Sequence, residues 1–264
     1  MTYQEEAQTI AFGKTKTVIV PSGRQFVLRE TNGEDDDILS NSETGRDQSN
    51  VDYYLARVVI KEITDNKEIP FSFDKARKLL KNDRTALLLH IRIHNLGAIV
   101  KFSFDFGMDP KTGGEFNYVE DISQYIHDYT KDFPLQGEEG YFKYKIPPYP
   151  EDAYSLFELS LQSGKRVRMG LMNGEGQSYI MNQEFVSKNT DFKARNLEID
   201  IEGKWVKVEN FAMFSSRDMV ELRAWEKEID PKYLPITEIE HPHTKQLIEF
   251  NMLNSPDFFY PVEI

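Results

Sequence analysis

Apolar positions along the chain fall into short alternating runs and a few helix-spaced stripes. Thr17–Val20, a Pro-Ser-Gly turn and Gln25–Arg29 predict a β-hairpin. Ser155–Leu161, Gln-Ser-Gly and Arg166–Leu171 predict another. Ser-Gly between alternating segments is a hairpin signal. Val51, Tyr54, Leu55, Val58 and Val59 lie on one helical face. Arg84–Leu96 predicts a further helix, capped by Asp83 and stopped at Gly97. Ser215 and Asp218 have capping-box spacing, and Met219, Leu222, Trp225 and Ile229 form one stripe before Asp230-Pro231. Leu197–Ile201, Glu202-Gly203 and Lys204–Val208 read as a hairpin, with Ile63–Ile69 around Asp65-Asn66 as its shorter counterpart. Two closing hairpins are expected, Ile99–Phe106 with Glu115–Val119 and Ile236–Glu240 with Gln246–Asn251.

The pattern repeats. Residues 22–34 and 163–175 share the form Ser-Gly-[Arg/Lys]-x7-Asn-Gly-Glu without a gap, at an offset of 141. Weaker echoes follow in the same order. Ala56-Arg57 returns as Ala194-Arg195, Asp109-Pro-Lys-Thr112 as His241-Pro-His-Thr244, and Phe116-Asn117 as Phe250-Asn251. Fixed order at a slowly varying offset is the mark of an internal duplication. The fold expected is α+β, with two tandem related modules, each of β-hairpins plus one or two helices. The first spans 1–150 and ends in a linker, Phe133–Pro150, that is partly polyproline-like; the second spans 151–264. Asn-Gly-Glu reads as a helix start, with Thr31 and Glu34 at capping-box spacing.

Composition narrows the function. The chain has 264 residues, 32 Lys+Arg against 44 Asp+Glu, and a formal charge of −12. A broad electrostatic grip on nucleic acid or anionic lipid is not expected. There is no cysteine, which excludes disulfides, thiolate nucleophiles and Cys-based metal sites. The opening MTYQEEAQTIAFGK is polar and acidic where a signal peptide has a basic start and an apolar run. No apolar stretch approaches the ~20 residues that span a bilayer.

Chemistry is sparse. No dinucleotide fingerprint, phosphate loop or nucleophile elbow is present. Ser-Gly-Lys165 lacks the Gly-x4-Gly-Lys frame and sits at a hairpin turn. His90 and His94 share a helix face and read either as a metal pair or as ordinary helix histidines; no third ligand on that face completes a site. His241 and His243, with Glu240 and Glu249, read either as a metal candidate or as a polar turn. Glu34–Asp37 fit the positive end of a helix without a bound cation. No catalytic residues, cofactor or metal site are assigned. The aromatic segment Phe258, Phe259, Tyr260 and Pro261 is the candidate for docking, on its own module or on a partner.

The motif order resembles a known family. A strand, Pro-Ser-Gly and a second strand lead to the helix start at Leu28–Glu34. Leu79-Leu-Lys-Asn-Asp-Arg-Thr-Ala-Leu-Leu88 follows, then Ser-Gly-Lys165, Ser216-Arg-Asp218 and a Phe-Phe-aromatic-Pro end at Phe258–Pro261. This resembles the baseplate hub assembly protein family of T-even-type contractile-tailed bacteriophages, over roughly residues 17–262. Many members carry Cys-Pro-x-Cys knuckles in the closing hairpins; here Asp109–Thr112 and His241–Thr244 stand at those places, so no zinc role carries over. The resemblance implies a non-enzymatic tail protein that acts through contacts with other phage tail or baseplate proteins. It would work in the host cytoplasm during assembly, with the virion baseplate as a possible destination. Alternatives are a tail assembly chaperone for the tape-measure protein, absent from the finished virion, and a metal-dependent enzyme built on the histidines.

Overall fold

The structure is a computed structural model that describes residues 13–107, 113–187, 189–230, 233–254 and 256–259. Strands β1 (Thr15–Ile19) and β2 (Gln25–Arg29) form the first hairpin. Three helices follow: α1 (Gly33–Ser40), α2 (Ser42–Gly45) and α3 (Ser49–Val58). The chain then returns to the sheet as β3 (Val59–Thr64) and β4 (Lys67–Pro70), turning through Asp65 and Asn66, both at positive φ. This gives an antiparallel sheet in the order β1-β2-β3-β4. Short α4 (Phe73–Lys78) leads to the longest helix, α5 (Lys81–Leu96), and then to the closing hairpin β5 (Ile99–Asp105) and β6 (Glu115–Asp121).

The later half runs through the same plan. Hairpin β7 (Phe157–Ser160) and β8 (Arg166–Met169) precedes α6 (Gly174–Met181) and α7 (Thr190–Ala194). Hairpin β9 (Glu198–Ile201) and β10 (Lys204–Lys207) completes a sheet ordered β7-β8-β9-β10. Then come α8 (Ser216–Ile229), the closing hairpin β11 (Ile236–Glu240) and β12 (Leu247–Asn251), and a last turn, α9 (Pro256–Phe259). The fold is α+β, built of helices and small antiparallel sheets of hairpins.

The repeat extends to side chains. Asn32 and Asn173, from the two Asn-Gly-Glu motifs, both cap a helix. The capping box at α1 is Asn32 with Asp35, not Thr31 with Glu34, because the Thr31 N–H is taken by Asn95 Oδ1 at 2.7 Å. In the first half Arg29 pairs with buried Asp35 and donates to the Arg57 carbonyl at 3.0 Å. The same offset places Gly170 and Gly176 at those positions, and the Gly170 N–H donates to the Arg195 carbonyl at 3.2 Å. The ion pair is absent as a pair, and backbone fills its place.

The helix that lies against each first hairpin presents an aspartate to the Ser-Gly turn. Asp83 does not cap α5. It sits in the first turn, where Oδ1 accepts the Ser22 N–H at 3.0 Å and Oδ2 accepts the Tyr154 hydroxyl at 2.7 Å. Asp218 completes a capping box with Ser215 and accepts Lys165 Nζ at 2.9 Å. The two carboxyls shift oppositely. Burial pushes Asp83 up from 3.8 to about 6, whereas hydrogen bonds from Ser163 and Lys165 hold Asp218 well below the carboxylate range. Arg24 occupies the Lys165 position but turns to Glu62 and to the Tyr154 ring, leaving Asp83 without a bound cation.

Packing does not follow a cut at residue 150. One core gathers Phe26, Leu55, Leu87 and Ile91 with Tyr233, Ile239, Met252 and Phe258 from the far end of the chain. The aromatic faces of the two closing hairpins meet: Phe102 and Phe250 stack at 5.5 Å, and Phe106 meets His241 at 4.3 Å. A smaller core of Val167, Met169, Leu222 and Trp225 lies wholly in the second half. The end of the 133–150 segment packs on the first half, with Ile146 fully buried and the Tyr149 N–H donating to the Pro21 carbonyl at 2.9 Å, while the Tyr144 hydroxyl lies within hydrogen-bonding distance of Glu238 and Glu249 of the second half. Asp109–Thr112 lies outside the described residues.

Candidate functional site

A cleft opens where α3 and α4 of the first half face α6 and α7 of the second. The two halves also meet through a close backbone contact at the start of α6. The Lys81 N–H donates to the Met172 carbonyl at 2.8 Å, and the Gly174 N–H to the Leu79 carbonyl at 3.2 Å. Gly174 is essential to that approach. A Cβ there would meet the Arg84 guanidinium and lie 2.7 Å from the Arg77 carbonyl oxygen. Beneath it Arg84 and Asp52 form a buried ion pair. Burial pushes Asp52 above its ordinary range, although Arg84 opposes the shift. On the opposite side the Ser178 hydroxyl donates to the Asp47 carbonyl at 2.9 Å, a second tie between the halves.

The cleft holds about 560 Å³. Tyr53, Phe73 and Arg77 line one wall; Tyr179, Lys193 and Lys207 line the other. Tyr53 and Phe73 stack at 4.3 Å, and the Arg77 guanidinium lies 5.8 Å from the Phe73 ring. Tyr53 is 47% exposed and Tyr179 38%. Among the described residues, no carboxylate forms an ion pair with Arg77, Lys193 or Lys207. At and just after the end of α6, Met181, Phe185 and Val186 are exposed, Phe185 by 81%. Aromatic rings beside fixed cations suit recognition of a protein segment.

The residues singled out by sequence lie elsewhere. His90 is half-buried, and burial with Lys16 nearby lowers its pKa to about 4, so it is neutral at pH 7. His94 Nε2 lies 3.2 Å from the Lys14 carbonyl. His241 Nδ1 accepts the N–H groups of His243 and Thr244 at 3.1 and 3.3 Å, which shapes the hairpin turn. Among the described residues no group of three or more His, Asp or Glu is placed to hold a metal ion. Lys165 serves the Asp218 pair at its turn, and Asp35 in the acidic run is held by Arg29 and Arg57. Phe258 is fully buried in the larger core, so its ring is not free to engage a partner; Phe259 packs against the same core. Tyr260 and Pro261 lie outside the described residues.

Sequence reasoning missed the cleft. Tyr53 sits off the apolar stripe of α3, and Arg77 is more than a hundred positions from Lys193 and Lys207. The usable signal was local. Glu-free Arg77 and Lys78 end α4, beside an aromatic that no core stripe explains.

Comparison with known proteins found no family model, no curated protein and no solved structure that matches the chain.

Proposed function

We propose that this protein acts in assembly of the baseplate hub of a contractile-tailed bacteriophage, through protein contacts and without catalysis. The observation that carries the protein-contact reading is the cleft between the halves, where stacked and exposed aromatics stand beside Arg77, Lys193 and Lys207, none of which forms an ion pair among the described residues. The motif order of the sequence supplies the phage context. The contact reading also agrees with what the histidines do: the His241 turn is held by backbone donors, and His90 is neutral against β1. Among the described residues no helix is long and apolar enough to cross a membrane.

A second reading is a tail assembly chaperone for the tape-measure protein. The exposed run at Met181, Phe185 and Val186 favours it, because such a surface can shield an apolar segment of a client. Mass spectrometry of purified particles beside a pulldown from infected cells separates the two. A fixed copy number in particles supports a hub subunit or retained assembly factor. Capture only with assembly intermediates supports the chaperone. Capture of no tail protein in either sample would sink both.

A further inference from the structure

We propose that the cleft between the halves binds a short acidic segment of a partner protein, anchored by an aromatic side chain. The inference rests on reading this protein as one that works through protein contacts, and it names the chemistry of the partner.

Charge placement carries the argument. The chain has 44 acids for 32 bases, so a base should find an acid easily. Other cations near the cleft do: Arg84 holds Asp52, Arg195 holds Glu226 and Asp230, and Arg168 holds Glu198 at 2.6 Å. Among the described residues, Arg77, Lys193 and Lys207 nevertheless converge on one cleft from α4, α7 and β10 without an ion pair, although Arg77 lies near enough to Asp52 to oppose the rise in its pKa. Two acids also line the cleft, but their places are explained locally. Asp47 accepts the Ser49 N–H at 3.0 Å, and Glu175 lies in the first turn of α6, where the helix dipole favours it. Unpaired cations at the mouth of a partly desolvated cleft attract carboxylates more strongly than those on an open surface.

The aromatic part follows from Tyr53, Phe73 and Tyr179. Two of these rings stack on one wall, and the third is exposed on the other. A flat aromatic side chain fits between such walls, with carboxylates on either side reaching Arg77 and the two lysines. A basic segment would face three like charges against only the two acids, Asp47 and Glu175, that share the lining. A polynucleotide would be repelled at longer range by the net charge of −12.

The test uses the full chain and three fluorescent probes: an acidic peptide with a central Phe, its Lys-for-acid counterpart, and single-stranded oligothymidine. Fluorescence anisotropy is read for the wild type and for a Lys193→Glu, Lys207→Glu double variant. Among the described residues neither lysine forms an ion pair; Lys193→Glu places an acid in the last turn of α7, so circular dichroism and thermal unfolding check that the double variant folds. The acidic probe is expected to bind about tenfold or more tighter than the basic one. The double variant should lose about tenfold of that affinity, and added salt should weaken it as screening shortens. Equal binding of acidic and basic probes, tighter binding of oligothymidine, or no effect of the double variant overturns the inference. Capture of tail proteins from infected cells is scored separately. If capture survives the double variant while the acidic probe fails, the cleft assignment falls and the assembly reading stands. If the acidic probe binds as expected but no tail protein is captured, the assembly reading falls and the cleft assignment stands.

Discussion

Gly33 and Gly174 occupy the same place in the two Asn-Gly-Glu motifs, yet their replacement by alanine should have opposite results. A Cβ on Gly174 meets the Arg84 guanidinium and comes within 2.7 Å of the Arg77 carbonyl oxygen. The carbonyl is backbone and cannot swing away, so the halves must separate or α6 must tilt. Overpacking of this kind costs about 1–3 kcal/mol. If relief displaces Arg84 from Asp52, the stranded buried charges raise the cost to about 3–5 kcal/mol. A Cβ on Gly33 meets nothing within 4 Å, and its φ lies outside the left-handed range. Gly33→Ala should therefore be neutral or stabilising by up to about 1 kcal/mol, through a less flexible unfolded chain. The assay is urea and thermal unfolding of both variants beside the wild type. At about 2–4 °C per kcal/mol for a chain of this size, Gly174→Ala should lower Tm by several degrees and Gly33→Ala should not. Equal effects at the two sites, or no cost at Gly174, would refute the claim that Gly174 is the close-contact point between the halves.

Three further outcomes follow from the buried groups. Asp83→Asn keeps an acceptor for the Ser22 N–H and offers its amide N–H to the Tyr154 hydroxyl oxygen in place of the accepted bond, but removes an ionisation that burial raises from 3.8 to about 6. That gap corresponds to roughly 3 kcal/mol of stability present in the wild type below about pH 4 and lost as pH rises through 6. The wild type should thus weaken between pH 4 and 7 relative to Asp83→Asn in urea titrations; parallel profiles would remove Asp83 as the cause. Asp218 shifts downward, so its contribution is present above the ordinary Asp range and lost on acidification. Lys165→Met should lower stability at pH 7 and shrink the acid-induced loss, as read by unfolding at pH 7 and pH 3. Phe258→Ala should cost about 3–5 kcal/mol in urea unfolding, as for a fully buried aromatic; a near-neutral result would show that the ring does not belong to the core.

The local elements were legible where side chains declare themselves within a few residues. Asp65-Asn66 and Glu202-Gly203 have the turn chemistry that their positive φ values require, and both hairpins form there. Ser215 and Asp218 make the capping box that their spacing promised. Val59 does not end the helix but opens β3, where it pairs with Leu28 beside a register shift in the sheet, a strand position that suits a β-branched residue. Long-range partners were not legible. Nothing local states that the Phe250 face covers Phe102, or that the Arg77 cation stands across from Lys193. Such pairings depend on how the two halves dock, which a repeat offset does not encode. Gly174 shows the limit clearly: identical motif letters, but only the second copy lies against the other half.

The proposed role is to bind phage tail proteins during assembly of a baseplate hub. Cross-linking mass spectrometry on complexes captured from infected cells with the tagged full chain tests it most directly. The account predicts cross-links from Lys193 and Lys207 to a baseplate or tail protein, with capture reduced in the Lys193→Glu, Lys207→Glu variant. Capture of no tail protein by a folded, tagged chain would contradict it.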